Sequence, residues 1–483
     1  MTIDNFALTS DIAQLYTLST LYTLQTFYFL TFHFTHFFMK IVIAGAGEVG
    51  HFVAKMLSSE KYDIVLMDSD ESRMEDISSA YDLLTFEGSP TSISDLKKAG
   101  VPNADLFVAV TPHESVNVAA CMLATNLGAK KTISRIDNRE YLLPENADFF
   151  KRMGVHSLIY PEMLAAQEIA NVLKRGWLRE FRTFGEGALV MVCLKVRANA
   201  ALVNKKFNSG FFAHSDYRIV AVKRDKNTII PCGTDEILPN DIVYFVCTPD
   251  KLEVVRTQAG KRAFDVKNVI IMGGSRIAIN AVRILPKNTN VKIIEANREK
   301  CFALTEKLSN TLVINGDCRN VDLLREEGIE DADAFLALTG DSESNVLACL
   351  TAKRFGVDKT VAEVENIDYI DFAENLDIGT VINKKLIAAS HIYQRMLDED
   401  VLNVTCLTYS DAEVVEFVVK PGDKITRKRV GDLGLPSNVN IGGIIRDGKG
   451  SVVAGQTVIL PGDHVVVFCM ADSVRKIAAF FNN

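Results

Sequence analysis

The sequence lacks the short motifs that mark the common hydrolases and metalloenzymes. It contains no HExxH, GxSxG or P-loop pattern, and none of its twelve tyrosines is followed four residues later by a lysine, as in short-chain reductases. Its nine cysteines are scattered through apolar runs, without a CxxC pair or a Cys/His cluster of zinc spacing. We therefore predict no catalytic residue and no metal site, and we expect the cysteines to be buried in a protein of the reducing cytoplasm.

Positive charge is also scarce. Lysine and arginine number 53 against 61 aspartates and glutamates, which gives a net charge of −8, and no basic run is long enough to form a stripe. Nucleic acid is therefore excluded as an expected partner. After Met39 the sequence has no apolar run of the length that a membrane-spanning helix needs, so we expect that this part of the chain does not form a pore.

Residues 1–38 differ from the rest of the chain. Charged side chains are absent from Ile12 to Met39, where Phe, Thr, Leu and Tyr alternate. The length suits a membrane span, but the stretch is rich in threonine and has no basic flank before it. An extension outside the folded protein is the preferred interpretation, and a peripheral anchor or a true span are the alternatives.

From Met39 onwards the sequence consists of a tandem repeat. KIVIAGAGEVG and ADLFVAVTPHESVN return as NVIIMGGSRIA and ADAFLALTGDSESN, and matched positions such as Asn117 and Asn345 are 228 residues apart. A second repeated block starts at Arg218 and Asn440, 222 residues apart, and carries the turn sequences PND and PGD. The sequence therefore predicts a large unit followed by a small unit, and this pair occurs twice in the chain.

Apolar, β-branched runs alternate with helix-length amphipathic segments in the large units. This pattern predicts doubly wound parallel sheets. In the first copy the predicted strands are Lys40–Ala44, Asp63–Met67, Leu83–Phe86, Asp105–Val110, Lys131–Ile136 and Ser157–Tyr160. The predicted fold class is α/β, with two Rossmann-like parallel-sheet domains that are each followed by a small α+β module, at residues 39–175, 176–264, 265–395 and 396–483.

A helix is predicted to follow the last strand of the first large unit. It begins at Pro161, a residue suited to the first turn of a helix, and its apolar stripe includes Met163, Ile169 and Leu173. Two partners are open for this stripe: the sheet of the same unit, or a second subunit.

The glycine motif after the first strand has the pattern of a dinucleotide site. In Gly45-Ala46-Gly47-Glu48-Val49-Gly50, the first glycine suits a tight turn, the second lets a pyrophosphate approach, and the third lets helix and sheet pack closely. Asp68 ends the second strand, where a carboxylate accepts from ribose hydroxyls and repels a 2′-phosphate. We therefore predict a site for NAD(H) or an adenine nucleotide, and not for NADP.

Further candidates lie where other strands end, at the edge of the sheet at which ligands of such folds bind. They are Ser89, Thr111, Pro112 and Arg135. Thr111 is either a ligand contact or a helix cap, and Asn117 is expected to brace its loop. Arg135 has either an anion or the carboxylates of Asp137 and Glu140 as its expected partner.

His113 is the one ionisable side chain near the expected nicotinamide position, and it reads either as a general acid or as an exposed loop residue. Arg73 is either a phosphate contact or a solvated charge on a helix.

The second copy of the glycine motif has lost two of its three glycines. Gly273 and the acid Glu295 remain, but Ser275 and Ala278 replace the second and third glycines. Because a side chain now takes the space that a pyrophosphate needs, weak or absent dinucleotide binding is predicted there.

With these motifs, Met39 to Phe480 resembles the TrkA family of peripheral Trk potassium-uptake subunits, which consist of tandem regulator-of-potassium-conductance (RCK) units. The resemblance implies a NAD(H) site formed by Gly45, Ala46, Gly47, Glu48, Val49, Asp68, Ser89, Thr111, Pro112 and Arg135. It also implies that ATP or ADP binds in the same cleft. A homo-oligomeric ring at the inner face of the plasma membrane, beneath a separate potassium-transporting subunit, is implied as well.

The favoured function is therefore a cytoplasmic regulatory subunit that gates a separate Trk-type potassium transporter and is not an enzyme. A soluble NAD-dependent oxidoreductase is the alternative, and an oligomer whose large units bind nothing is a third hypothesis.

Overall fold

The computed structural model describes residues 39–58, 62–212, 216–366, 368–396, 401–470 and 473–481. The segment 1–38, for which an extension was predicted, lies outside the described residues. The first large unit is a six-stranded parallel sheet in the order β3-β2-β1-β4-β5-β6. Its strands are β1 (Lys40–Ala44), β2 (Asp63–Asp68), β3 (Leu84–Glu87), β4 (Leu106–Ala109), β5 (Lys131–Arg135) and β6 (Ser157–Ile159).

Helices cover this sheet because its strands are apolar on both faces. They are α1 (Glu48–Ser58), α2 (Glu75–Ala80), α3 (Ile93–Lys98), α4 (Glu114–Leu127), α5 (Pro144–Arg152) and α6 (Pro161–Leu173). The strand order reverses between β1 and β4, and the glycine turn that follows β1 lies at this switch point.

The second large unit repeats this topology, in the order β14-β13-β12-β15-β16-β17. Its strands are β12 (Asn268–Met272), β13 (Asn290–Glu295), β14 (Thr311–Asn315), β15 (Ala334–Ala337), β16 (Lys359–Glu363) and β17 (Thr380–Ile382). Its helices are α8 (Arg276–Ile284), α9 (Arg298–Lys307), α10 (Val321–Glu326), α11 (Ser342–Arg354), α12 (Asp368–Asn375) and α13 (Lys384–Met396). The predicted α/β class with two Rossmann-like sheets is confirmed.

Each large unit is followed by a five-stranded antiparallel sheet and one short helix. The first small sheet has the order β10-β9-β11-β8-β7, with β7 (Glu180–Phe184), β8 (Leu189–Lys195), β9 (Tyr217–Arg224), β10 (Asn227–Ile229), β11 (Ile242–Cys247) and helix α7 (Leu252–Gln258). The second has the order β18-β19-β22-β20-β21, with β18 (Val401–Cys406), β19 (Ala412–Val418), β20 (Val439–Arg446), β21 (Lys449–Val452), β22 (His464–Met470) and helix α14 (Val474–Ala478).

The two halves exchange the helices that end their large units. Helix α6 packs on α8 of the second half, where Ala165 and Ile169 share a buried cluster with Ile277 and Ala281. Helix α13 packs on α1 of the first half in the same way. This corrects the prediction for the Pro161 helix, which named its own sheet or a second subunit. In a tandem repeat the other half of the same chain offers the equivalent surface.

The two small sheets also face each other. Arg218 Nε donates to Asn440 Oδ1 at 3.0 Å, and Arg218 Nη1 donates to the carbonyl of Val453 at 2.9 Å. The Tyr409 amide donates to the Tyr244 hydroxyl at 3.1 Å, in a buried position. Both small sheets and both exchanged helices therefore join the halves into one folded body.

Within the described ranges, no helix is both long enough and apolar enough to span a bilayer.

Candidate functional site

The three glycines of the turn between β1 and α1 have different surroundings. Gly45 has a φ of +110°, and a Cβ there would lie 2.9 Å from the amide nitrogen of Thr111. A Cβ on Gly50 would lie 1.8 Å from the Gly45 carbonyl oxygen, so this position requires glycine for close packing. A Cβ on Gly47 would meet no atom within 4 Å, which means that it would project into open space. Gly47 is therefore the position at which a ligand can approach the backbone.

Asp68 holds this turn against the end of β2. Its side chain is buried, and Oδ2 accepts from the Ala46 amide at 2.7 Å while Oδ1 accepts from the Asp70 amide at 3.0 Å. Arg73 Nη1 lies 3.9 Å from the same carboxylate, and Arg73 Nε lies 3.2 Å from Asp70. The acid is thus fixed beside the N-terminus of α1, where the helix dipole favours negative charge.

Asn117 braces the loop that follows β4, as predicted. Its Oδ1 accepts from the Thr111 amide at 2.9 Å and from the Thr111 hydroxyl at 2.7 Å. Its Nδ2 donates to the carbonyls of Thr111 and Arg135, each at 3.0 Å, so one buried side chain ties the ends of β4 and β5 together. The alternative role of Thr111 as helix cap is wrong, because His113 is the residue that precedes the first turn of α4.

A cleft of about 910 Å³ opens in front of the glycine turn. From the first half it is lined by six of the predicted site residues and by five further residues: Ala46, Gly47, Glu48, Val49, Pro112 and Arg135, with His51, Phe52, Lys55, Arg73 and Val110. Hereafter this is the first cleft. Gly45, Asp68 and Thr111 do not line the cleft but support the glycine turn and the loop after β4 through the contacts above.

The opposite wall of the first cleft comes from the second half, which the sequence analysis missed. Glu365, Asn366, Lys384 and Lys385 lie there, on the loop after β16 and in the first turn of α13. Lys385 Nζ lies 3.3 Å from Glu48 Oε2 and 3.8 Å from Glu365, which also contacts Lys384. One sequence feature could have indicated this wall. Lys384 and Lys385 lie at the N-terminus of a helix, where the helix dipole disfavours positive charge, so a negative partner is expected nearby.

Arg135 has a different partner from either carboxylate named in the sequence analysis. Its Nη2 lies 3.2 Å from Oε1 of Glu162, in the first turn of α6. Asp137 instead pairs with Arg276 of the second half, at 2.6 Å, so the expectation of a bond to Asp137 or Glu140 is corrected. Glu162 Oε2 is buried and has no hydrogen-bond partner among the described residues.

Neither Ser89 nor His113 lines the first cleft. Ser89 follows β3, its amide donates to Asp95 at 3.2 Å, and its hydroxyl is 3.1 Å from that of Thr91. The His113 side chain is exposed, which agrees with its interpretation as an exposed loop residue.

The equivalent turn of the second half keeps the acid and changes the rest. Glu295 accepts from the amides of Gly274 and Asn297, each at 2.8 Å, as Asp68 does from its own turn. Ser275 occupies the position of Gly47, and its hydroxyl accepts from the Ala278 amide at 3.3 Å. A side chain of the protein therefore uses a helix N-terminal donor that would otherwise face a ligand.

Comparison with known proteins matches all four units of the chain. The TrkA-N domain model matches residues 41–161 and 269–384, and the TrkA-C domain model matches residues 191–260 and 414–482. The Trk system potassium uptake protein TrkA of Haemophilus influenzae is 32% identical, over 89% of this chain and 95% of its own length. The Trk system potassium uptake protein TrkA homolog 1 of Methanosarcina mazei is 31% identical, over 92% of this chain and 100% of its own length.

Solved structures share the fold at low sequence identity. The crystal structure of the GsuK RCK domain has a TM-score of 0.59 and 15% identity, and covers 92% of this chain and 96% of that one. A GsuK channel bound to NAD has the same TM-score with 14% identity, and covers 100% of this chain and 89% of that one. With the repeated family models and relatives that align over nearly their whole length, the chain belongs to the TrkA family of Trk system potassium uptake proteins.

Proposed function

We propose that this protein is a regulatory subunit of potassium transport that binds NAD(H) in the first cleft. The observation that carries the proposal is the open space in front of Gly47, between a helix N-terminus and two lysines of the other half. A pyrophosphate suits this place, because backbone amides and the α1 dipole face it from one side and Lys384 and Lys385 from the other. The Asp68 carboxylate suits the ribose hydroxyls.

The residues proposed to hold the nucleotide are those of the glycine turn and of the strand ends. They are Gly45, Ala46, Gly47, Glu48, Val49, Asp68, Ser89, Thr111, Pro112 and Arg135, to which we add Lys384 and Lys385 from the opposite wall. When bound, the nucleotide supplies a diphosphate anion to the cleft and no reaction step. ATP and ADP present the same kind of anion, and we include them as ligands of this site.

Binding between two halves offers a way to change the conformation of the chain. A ligand shifts a conformational equilibrium only through unequal affinity for the two states, and a tenfold preference corresponds to about 1.4 kcal/mol. A nucleotide that contacts α1 and the first turn of α13 would favour the spacing of these helices that suits it best. We propose that NADH and ATP favour different spacings between these two helices.

The site of action is proposed from the family. Relatives carry the name Trk system potassium uptake protein, and this supports a separate, Trk-type membrane subunit as the partner. We place the protein in the cytoplasm at the inner face of the plasma membrane, as a homo-oligomeric ring. In the second half we propose weak or absent dinucleotide binding, because Ser275 caps α8.

Potassium flux tests the function directly. Vesicles that contain a Trk-type membrane subunit are loaded with this protein, and flux is measured without nucleotide, with NADH and with ATP. The expected result is a nucleotide-dependent flux that Gly47→Asp abolishes and that Ser275→Asp, the same change in the second half, leaves intact. Flux that ignores both nucleotides would contradict the regulatory role, and steady oxidation of NADH with a metabolite would favour the oxidoreductase.

A further inference from the structure

A second cavity, of about 380 Å³, lies between the first small sheet and the second parallel sheet. One wall is the segment before β7 and the end of β8, and the other consists of α11, β16 and the start of β17. Trp177, the only tryptophan of the chain, lines it. We refer to it as the cationic cavity, because seven lysines and arginines line it against two carboxylates.

Four of these cations gather on a single carboxylate. Asp377 Oδ1 lies 2.6 Å from Arg179 Nη2 and 3.9 Å from Lys195 Nζ. Its Oδ2 lies 3.4 Å from Lys353 Nζ and also contacts Arg197. One negative charge cannot neutralise four positive ones, so the group keeps an excess of positive charge.

Arg179 has hydrogen-bonding capacity that the protein does not use. Its side chain is 8% exposed, and its Nη1 atom is buried without an acceptor among the residues that the structure describes. A buried guanidinium normally satisfies its donors, because each unpaired one loses its bonds to water without replacement. Arg179 is one of the residues that line the cavity, so this unused hydrogen-bonding capacity belongs to a side chain at its wall.

The three remaining basic residues, Arg262, Lys359 and Lys261, differ in their partners. Arg262 pairs with Asp358 at 3.0 Å, but Lys359 donates to neutral groups, the carbonyl of Leu178 and the hydroxyl of Thr380. Burial, together with Arg179 and Lys261, lowers the pKa of Lys359 to about 7.

Lys261 is affected in the same way, since burial and its cationic neighbours Arg197 and Arg179 lower its pKa to about 8. Glu374, a third carboxyl near Lys195, is itself buried, and burial raises its pKa. It therefore offsets the positive charge only in part.

The fold does not require these charges, because the first half builds the same elements without them. Thr125 and Gly154 occupy the positions of Lys353 and Asp377 there. Gly154 ends its helix with a φ of +88°, a conformation that suits glycine, whereas Asp377 adopts a φ of +54°. The second half thus places an aspartate in a left-handed conformation and gathers cations around it.

We propose that the cationic cavity binds a phosphate group, either as free phosphate or as part of a phosphate ester, and that Arg179, Lys261 and Lys359 hold it. A phosphate offers several acceptor oxygens and two negative charges, and the planar guanidinium of arginine binds such groups through two parallel bonds. The anion would connect the first small sheet to the second parallel sheet. This site is distinct from the first cleft and does not depend on nucleotide binding there.

Trp177 gives a reporter that belongs to this cavity alone. The full chain is titrated with potassium phosphate and with glycerol 3-phosphate while tryptophan emission is recorded, and potassium chloride of matched ionic strength is the control for screening. The titration is repeated calorimetrically in the Gly47→Asp variant, in which the first cleft is blocked. Lys261→Gln is the test variant, and Lys131→Gln, at the position in the first half that matches Lys359, is the control.

The expected result is a saturable change in Trp177 emission, with a midpoint that Lys261→Gln raises tenfold or more and that Lys131→Gln leaves unchanged. Equal affinity for both compounds means that the free oxyanion is recognised, and tighter binding of the ester means that its organic part is also contacted. Either outcome supports the site. No saturable signal with either compound, or one that Lys261→Gln does not alter, would overturn the proposal and reduce the cluster to an internal salt bridge.

Discussion

Lys385 of the second half and Glu48 of the first form an ion pair across the first cleft, with 3.3 Å between Nζ and Oε2. The Lys385 side chain is 15% exposed and that of Glu48 is 63% exposed, so the pair itself contributes less than about 1 kcal/mol to stability. Its significance is positional, because it puts a cation from one half opposite the glycine turn of the other.

Replacement of this lysine should therefore affect ligand binding more than folding. In Lys385→Gln we expect roughly tenfold weaker NADH binding, since a charge-assisted bond to the pyrophosphate is lost, and an unfolding midpoint close to that of the unchanged protein. Calorimetric titration measures the first quantity and thermal unfolding the second. The matched control is Arg276→Gln, which removes the 2.6 Å pair with Asp137 at the other glycine turn. Equal NADH affinity in both variants would rule out a role for Lys385.

The glycine turn allows ligand binding and folding to be separated. Gly47→Ser introduces the residue that the second half has as Ser275, into a space without neighbours within 4 Å. Stability should change by less than about 1 kcal/mol, because serine is also a good helix N-cap, whereas NADH affinity should fall at least tenfold.

Gly50→Ala, in contrast, should lower the stability of the fold. The added Cβ would lie 1.8 Å from the Gly45 carbonyl oxygen, so the turn must move, and we expect a loss of about 3 kcal/mol in the free energy of unfolding. Urea denaturation of both glycine variants gives the comparison. A stable Gly50→Ala chain, or a Gly47→Ser chain that binds NADH normally, would show that the turn is not organised in this way.

Asn117 and Asn345 provide a further matched pair. Asn345 repeats the bonds of Asn117, with Oδ1 accepting from the Thr339 amide at 3.1 Å and from the Thr339 hydroxyl at 2.7 Å. Replacement of either residue by alanine removes several buried hydrogen bonds and should lower stability by about 2–4 kcal/mol. Only Asn117→Ala should also weaken NADH binding, because only its loop borders the first cleft. The expectation fails if the two variants lose NADH affinity equally.

Much of this architecture could be predicted from local patterns. β1 spans the residues predicted for it, and β4 differs from its prediction by one residue at each end. Such strands can be located because parallel strands that are covered on both faces have nearly continuous apolar sequences. Asp68 could be placed beside the turn because, in this fold, the end of the second strand lies next to the glycine turn that follows the first.

The opposite wall of the first cleft could not be predicted in this way. Lys385 and Glu48 are more than 300 residues apart in the sequence, and their contact depends on the exchange of α6 and α13 between the halves. No periodicity within one segment carries that information. The partner of Arg135 was missed for a different reason, since Glu162 lies in the same half, in the first turn of α6, whereas the carboxylates considered were those that directly follow β5.

Glu180 should make stability depend on pH. It is buried between the small sheets, where Tyr244 Oη and the Thr408 amide donate to Oε2, each at 3.4 Å. Burial raises its pKa to about 7, from a usual value of 4.5, although Arg182 Nη2 lies 3.4 Å from Oε1. The folded state therefore binds the proton more tightly than the unfolded state, and the stabilisation is complete below pH 4.5 and is lost as the pH rises through 7.

Glu180→Gln should remove the contribution of Glu180 to this pH dependence, while the contributions of other buried groups remain. Relative to the variant, the unchanged protein should lose about 3 kcal/mol of unfolding free energy between pH 4.5 and pH 8. The comparison cancels His391, whose pKa is lowered to about 4 by burial and nearby arginines and which acts in the opposite direction. Urea denaturation at four pH values measures the difference, and the exposed Glu306→Gln is the control. Parallel pH profiles for the protein and the Glu180 variant would contradict the assignment.

The central claim is that the first cleft, and not its counterpart in the second half, holds the nucleotide. Calorimetric titration of NADH into the full chain, its Gly47→Asp variant and its Ser275→Asp variant tests this claim most directly. We predict one NADH per chain, abolished by Gly47→Asp and unaffected by Ser275→Asp. Absence of binding to the unchanged chain, or binding that survives Gly47→Asp, would contradict the account.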